Sequence, residues 1–218
     1  MTGKGTEGRG EKDVEKDAEK SRRAGEKDDG LEAVRRALEP EPRLMEGVVR
    51  TDREWEGKIF SVEHLLVELS DGSRDWREIV RHHGGAGVVA VVDGRVCLVR
   101  QYRVALGQMT LEIPAGKVDP GEPRDVCAAR ELTEETGLVA ERLELLTESY
   151  GAPGFTNEHT SVYFARGLTQ EASRPDEGEF VGVVWVDVDD TVEAIRQGLI
   201  QDAKTVEGIL AAKAYGML

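Results

Sequence analysis

Apolar positions along this chain repeat in two rhythms, every second residue and every third or fourth, and these rhythms locate its elements before any chemistry is considered. Leu65, Val67 and Leu69 alternate with His64, Leu66 and Glu68, and Asp71-Gly72 is a hairpin signal leading to a strand through Trp76, Glu78 and Val80. Val88 to Val92 and Val96 to Gln101 flank Asp93-Gly94 and predict a second hairpin. Met109 to Ile113 reads as another strand, ended by Pro114, which lacks the amide that a ladder needs. Further strands are predicted over Leu143 to Tyr150, Thr160 to Ala165 and Phe180 to Val186. Helical spacing covers Leu31 to Leu38, ahead of the breaker Pro40-Glu41-Pro42, and Pro123 to Thr136. It returns in a helix through Ile195, where Asp190 and Glu193 make a capping-box pattern, and in Thr205 to Ala214. Strands in hairpins with few, separated helices predict an α+β layered domain with a mixed sheet.

Composition changes this picture at the N-terminus. Residues 1–30 hold only Met1 and Val14 as large apolar side chains, too little to offset the entropy of ordering, so a disordered charged tail is expected there. Its 8 basic and 9 acidic residues nearly cancel, which leaves almost all of the formal charge of -14 on the rest of the chain. Such a charge argues against nucleic-acid binding, which uses a basic face. A phosphate substrate must then be received by cations and a few local arginines. Cys97 and Cys127 lie in apolar stretches without metal-ligand spacing and read as buried thiols of a reducing compartment. The longest apolar stretch, Ala86 to Val92, is interrupted by Gly87 and is too short for a bilayer, so a cytoplasmic protein without membrane contact is expected.

The chemistry concentrates in the helix from Pro123 to Thr136. At about 100° per residue from Glu131, Glu134 and Glu135 fall near 300° and 40°, while Val126, Ala129, Leu132 and Thr136 cluster on the other side. This reading packs one face and leaves the other acidic. Like charges at Glu131 and Glu135, four residues apart, cost a helix a few tenths of a kcal/mol unless a cation lies between them. A hard divalent ion suits that position, and a solvated acidic face is the alternative. The segment ahead, Gly116-Lys117-Val118-Asp119-Pro120-Gly121-Glu122, is bounded by glycines that let backbone approach a ligand closely. Gly137 follows the helix where a left-handed terminating residue is expected.

Gly116, five residues, Glu122, seven residues and then Arg130-Glu131-Leu132-Thr133-Glu134-Glu135-Thr136-Gly137-Leu138 resemble the Nudix box, GX5EX7REUXEEXGU, at every defined position. The resemblance implies a loop-helix-loop that holds Mg2+ or Mn2+ and hydrolyses a nucleoside diphosphate linked to another group. It implies Glu131 and Glu135 as principal metal ligands, Glu134 as sharing ions and the Ala115 carbonyl as completing the site. Arg130 is implied to orient the carboxylates, and Glu122 to support the loop or act as an outer ligand. The implied fold is an α+β, Nudix-type α/β/α sandwich with a mixed β-sheet and an N-terminal antiparallel strand extension. The expected division is a tail over 1–30, a helix and strand extension over 31–83 for dimerisation and the adenine site, and a hydrolase domain over 84–218.

Other segments bear on the substrate. Tyr150-Gly151-Ala152-Pro153-Gly154-Phe155-Thr156 resembles the downstream segment whose proline marks ADP-ribose pyrophosphatases, with Pro153 in that place and an ordinary Gly/Pro loop as the alternative. Arg100-Gln101-Tyr102-Arg103 and Glu112-Ile113-Pro114-Ala115-Gly116 resemble that subfamily's arginine-bearing segment and its strand entering the box, making Arg103 a candidate pyrophosphate clamp. Trp76-Arg77-Glu78 resembles the segment that stacks the adenine and contacts the terminal ribose, against the reading of Trp76 as a core residue. The acidic run Asp176-Glu177-Gly178-Glu179-Phe180 resembles the loop carrying the general base, with Glu179 first and Glu177 second. The implied reaction is hydrolysis of ADP-ribose to AMP and ribose 5-phosphate by a homodimer. Alternatives are another nucleotide sugar such as GDP-mannose, a nucleoside triphosphate, or a non-catalytic ADP-ribose sensor, although such sensors lose box glutamates that are all present here.

Overall fold

The computed structural model describes residues 30–172 and 180–218. The expected tail, apart from Gly30, and the two general-base candidates Glu177 and Glu179 lie outside the described residues. By contacts the chain forms two compact units, Val49–Leu66 with Trp76–Leu218, and Val67–Asp75 with the described residues up to Val48.

In the smaller unit a helix, α1 (30–37), precedes a 3-10 turn at Pro42–Leu44. The turn predicted at Asp71-Gly72 is present there: Gly72 has φ +81, and Asp71 Oδ1 accepts the Ser73 amide at 2.9 Å and its hydroxyl at 2.6 Å. Strands β1 (Gly47–Glu56), β2 (Phe60–Glu68) and β3 (Arg74–His82) pair in sequence order, and most of their residues belong to the larger unit.

The larger unit carries two further sheets. One has the order β8 (Ala115–Lys117), β4 (Gly85–Val89), β10 (His159–Gln170), β9 (Leu138–Tyr150). It is mixed, because β10 runs parallel to β4 and antiparallel to β9. The other has the order β11 (Gly182–Asp187), β6 (Arg95–Arg103), β5 (Val91–Val92), with β7 (Gln108–Glu112) also on β6. Alternation along β4 explains the layering. Ala86 and Val88 join a core cluster with Cys127, Ala128 and Leu132 of helix α2 (Arg124–Thr136). Val89 joins a separate cluster with Ile209 and Ala212 of α4 (Ala203–Ala214), against which residues of α3 (Val188–Arg196) pack. A helix therefore covers each face of the central strands, the α/β/α arrangement expected.

Several boundaries differ from the sequence reading, and three of the differences have a plain cause. The strand expected over Val88 to Val92 divides at Ala90, so that β4 serves one sheet and β5 the other, where Asp93 (φ 50) and Gly94 (φ 74) make the tight turn into β6. β9 begins at Leu138 because β10 extends to Gln170 and pairs with it there. β11 begins at Gly182 because its register with β6 starts at Gly182 opposite Arg100, leaving Phe180 exposed. Among the described residues no helix is long and apolar enough to cross a membrane.

Candidate active site

α2 starts directly after Pro123 and ends at Gly137, whose φ of 73 turns the chain while its amide bonds the Thr133 carbonyl at 2.8 Å. The Arg124 guanidinium fastens the first turn to the strands below, donating to the carbonyls of Gly85 at 3.1 Å and His159 at 2.9 Å. The helix is rotated relative to the sequence reading. Its buried side comprises Cys127, Ala128, Glu131, Leu132, Glu135 and Thr136, whereas Val126 is 51% exposed and Ala129 is exposed. Apolar content alone placed the packing face, but the small Cys127 and Ala128 let the helix lie close to β4. Glu131 and Glu135 are thereby drawn to within 8% and 5% exposure.

Carboxylates so withdrawn from water need partners. Glu135 Oε2 accepts the Ala115 amide at 2.9 Å, which ties the C-terminal half of α2 to β8. Arg130 gathers the others. Its Nη1 donates to Glu131 at 2.7 Å and to Glu134 at 2.9 Å, while Nε and Nη2 form a fork on Glu122 at 2.9 and 3.1 Å. The hydrogen bonds of this fork outweigh the upward push of desolvation and take the Glu122 carboxyl down to about 2. Gly116 faces this cluster so closely that a Cβ there would lie 2.0 Å from Glu131 Oε1, so any side chain at this position forces Glu131 to move.

A cavity of about 410 Å³ opens beside the box, lined by Ala115, Gly116, Glu135, Arg103, Lys204 and Glu158 among others. Arg103 thus lines the same cavity as Ala115 and the box residues Gly116 and Glu135. It is tied by a fork to Glu112, Nε to Oε1 at 2.7 Å and Nη2 to Oε2 at 2.6 Å. Glu112, 2% exposed at the end of β7, also accepts Thr110 Oγ1 at 2.7 Å and an ion pair from Lys204. Burial alone would raise its carboxyl, but the Arg103 hydrogen bonds, together with the charge of Lys204, push it down to about 2.

Trp76, Arg77 and Glu78 do not line this cavity. They lie on β3, where Arg50 stands over the Trp76 ring at 4.9 Å and His64 contacts Glu78 at 3.6 Å. Trp76 is 43% exposed and is no core residue. Pro153 is exposed in a turn closed by the Phe155 amide on the Ala152 carbonyl at 3.1 Å. That loop is fastened to β3 by the Val80 amide on the Phe155 carbonyl and by Asn157 bonding both backbone groups of His82. From sequence Glu112 was read only as part of the strand entering the box, and Lys204 and Glu158 went unremarked. Glu112 left a signal, a lone charge between Leu111 and Ile113 in an apolar strand, whereas Lys204 meets it from 92 residues away and left none.

The donors present suit a hard cation. Among the described residues no three His, Cys, Asp or Glu side chains converge tightly enough to enclose an ion by themselves. Arg130 nevertheless draws together the carboxylate oxygens of Glu122, Glu131 and Glu134, and Glu135, one turn on from Glu131, borders an open cavity. That chemistry fits a divalent ion held by a few carboxylates that keeps positions for water and phosphate oxygens, as magnesium and manganese do.

The NUDIX domain family model matches residues 81–207. The chain is 38% identical over 169 residues to the ADP-ribose pyrophosphatase of Bacillus subtilis (strain 168), covering 76% of this chain and 91% of that protein. It is also 38% identical over 164 residues to the methanol dehydrogenase activator of Bacillus methanolicus, covering 74% and 89%. A crystal structure of an ADP compounds hydrolase superposes with a TM-score of 0.71 at 23% identity, over 81% of this chain and 96% of that one, a likeness of fold. With the box of residues 116–138 inside the matched region, and Arg130 binding its carboxylates Glu122, Glu131 and Glu134, the chain belongs to the NUDIX family.

Proposed function

We propose that this chain hydrolyses the pyrophosphate of a nucleoside diphosphate sugar, ADP-ribose above others, to a nucleoside monophosphate and a sugar phosphate. The observation that carries the reading is the pairing, in one cavity, of a buried box carboxylate, Glu135, with two cations, Arg103 and Lys204. Acid on one part of the wall suits a metal, and base on another suits the phosphates that the metal neutralises. The names of the relatives divide between a pyrophosphatase and an activator of methanol dehydrogenase. The cavity favours the first, because an effect exerted through surface contact alone would require none of these buried charges.

In this reading Glu131, Glu134 and Glu135, with the Ala115 carbonyl and Glu122 as an outer support, hold magnesium or manganese. The bound metal supplies Lewis acidity, lowering the pKa of water and offsetting charge that grows on the phosphoryl oxygens. Arg130 keeps three carboxylates oriented through its hydrogen bonds, so that they need no reorganisation when the ion arrives. Arg103 binds a phosphate oxygen, and its fork to Glu112 fixes the plane of the guanidinium. Glu179, with Glu177 as second choice, accepts the proton of the attacking water. Trp76, Arg77 and Glu78 on β3 and Pro153 in its docked loop are assigned to the adenine and terminal ribose.

The exposed Trp55 and Phe60 on the N-terminal strands, with Ile59 in the bend between them, support a homodimer. Two unpaired buried thiols, Cys97 and Cys127, support a reducing, cytoplasmic setting. The domain division expected from sequence, an extension over 31–83 and a hydrolase domain over 84–218, belongs to the same proposal. A panel of nucleoside diphosphate sugars incubated with the protein and magnesium tests the function. ADP-ribose is expected to release monophosphate fastest, and release from none of them would defeat the reading.

A further inference from the structure

The ionic cluster beside the box contains more cations than Glu112 needs. Its carboxylate already accepts both prongs of Arg103 and the Thr110 hydroxyl. Lys204, reaching over from α4, adds a further bond to the same oxygen, Oε2, that Arg103 Nη2 contacts. It is held from behind by Asp202 Oδ1 at 2.8 Å. Two like charges thus meet at one atom, an arrangement that repulsion forbids unless a buried anion lies between them. The Glu112 side chain, 3% exposed, is that anion. A staple between α4 and the residue that follows β7 is already supplied elsewhere, by the Ile113 amide on Thr205 Oγ1 at 2.8 Å. Both cations, moreover, line the cavity that Glu135, Ala115 and Gly116 line.

We propose that Arg103 and Lys204 form a two-cation receptor for the diphosphate of the substrate, with Glu112 as the positioning residue that holds them side by side. The inference rests on the reading of the substrate as a nucleoside diphosphate sugar and adds Lys204 to the groups that touch it. An ammonium has three donors. Lys204 spends two on Glu112 and Asp202, and the third is directed to a phosphate oxygen. Glu112 touches no substrate, and it acts through the two cations.

Calorimetric titration of inorganic pyrophosphate with magnesium, a probe that needs no turnover, tests this on the wild type, Lys204→Met, Lys204→Gln, Lys204→Arg and Glu112→Gln. Thermal midpoints and the KM and kcat for ADP-ribose are measured alongside. Lys204→Met is expected to weaken pyrophosphate binding and raise KM about tenfold or more with little change in kcat, and Lys204→Arg to restore most of both. Glu112→Gln, which keeps an acceptor but loses the charge, is expected to raise KM in the same way. Lys204→Gln keeps a donor for Glu112, so it must lose affinity too, and it serves if the methionine variant does not fold. Pyrophosphate binding equal to wild type in the lysine variants, with only the midpoint lowered, would make Lys204 a staple and overturn the proposal, as would a wild type that binds no pyrophosphate. A wild type that binds pyrophosphate through Lys204 yet cleaves no nucleotide sugar would leave the receptor standing and remove the hydrolase reading.

Discussion

Glu122 and Arg130 are joined by two parallel hydrogen bonds, of 2.9 and 3.1 Å, and this fork leaves Arg130 Nη1 to reach Glu131 and Glu134 together. One guanidinium therefore connects the loop ahead of α2 to the carboxylates on it. Arg130→Ala strands three partly or wholly buried carboxylates without their shared cation, at a cost of roughly 2–3 kcal/mol. Urea unfolding is expected to show that loss, with activity falling further than stability. Arg130→Lys recovers the charge but cannot form the fork, so it should recover stability more than turnover. Equal loss of both in the lysine variant would count against the orienting role.

Gly116 gives a sharper separation of the two effects. The Cβ of Gly116→Ala would come within 2.0 Å of Glu131 Oε1 and 2.1 Å of its Cδ. These atoms are the end of a flexible side chain, so the fold can yield by swinging Glu131 aside for about 1 kcal/mol. The displaced carboxylate is the one assigned to the metal, and turnover is expected to fall about 100-fold. A crystal structure of the variant with Glu131 displaced, beside a thermal midpoint lowered by only a few degrees, is the anticipated result. An unimpaired enzyme would show that the position of Glu131 is immaterial.

Glu112 predicts a pH dependence of stability. Its carboxyl is held at about 2 in the fold against 4.5 ordinarily, a depression that Arg103 and Lys204 produce against the effect of burial, with Asp202 as the neighbouring acid. A depressed acid stabilises the fold fully above its unfolded pKa, and the benefit disappears as pH falls from about 4.5 towards 2. Wild type should therefore exceed Glu112→Gln in unfolding free energy at neutral pH by something on the order of 3 kcal/mol, with the gap closing through that acid window. A gap that does not vary with pH would mean that Glu112 is not held ionised by its two cations.

Much of this site could be read from the residues themselves, and what could not be read has a common physical reason. The box spacing, the Asp93-Gly94 turn and the closing helix are local patterns, and each appears where expected. β1 had no such pattern, because residues such as Arg50, Asp52, Arg53 and Glu54 are charged and the strand is exposed along nearly its whole length. The facing of α2 was misjudged because burial follows close approach as well as hydrophobicity, and Cys127 and Ala128 permit an approach that Val126 does not. Lys204 was invisible because its partner is set by how α4 docks on β7. Pairings made by tertiary packing between distant segments leave no period in the sequence.

The claim on which all else depends is that the carboxylates of α2 grip divalent ions against a diphosphate. Manganese titration of wild type, Glu131→Gln and Glu135→Gln, each checked for native circular dichroism and assayed for AMP release from ADP-ribose, addresses it directly. Wild type is expected to bind the ion and cleave, while each variant keeps its fold, binds more weakly and loses at least about 100-fold in turnover. Folded variants that bind manganese and release AMP as the wild type does would contradict that claim.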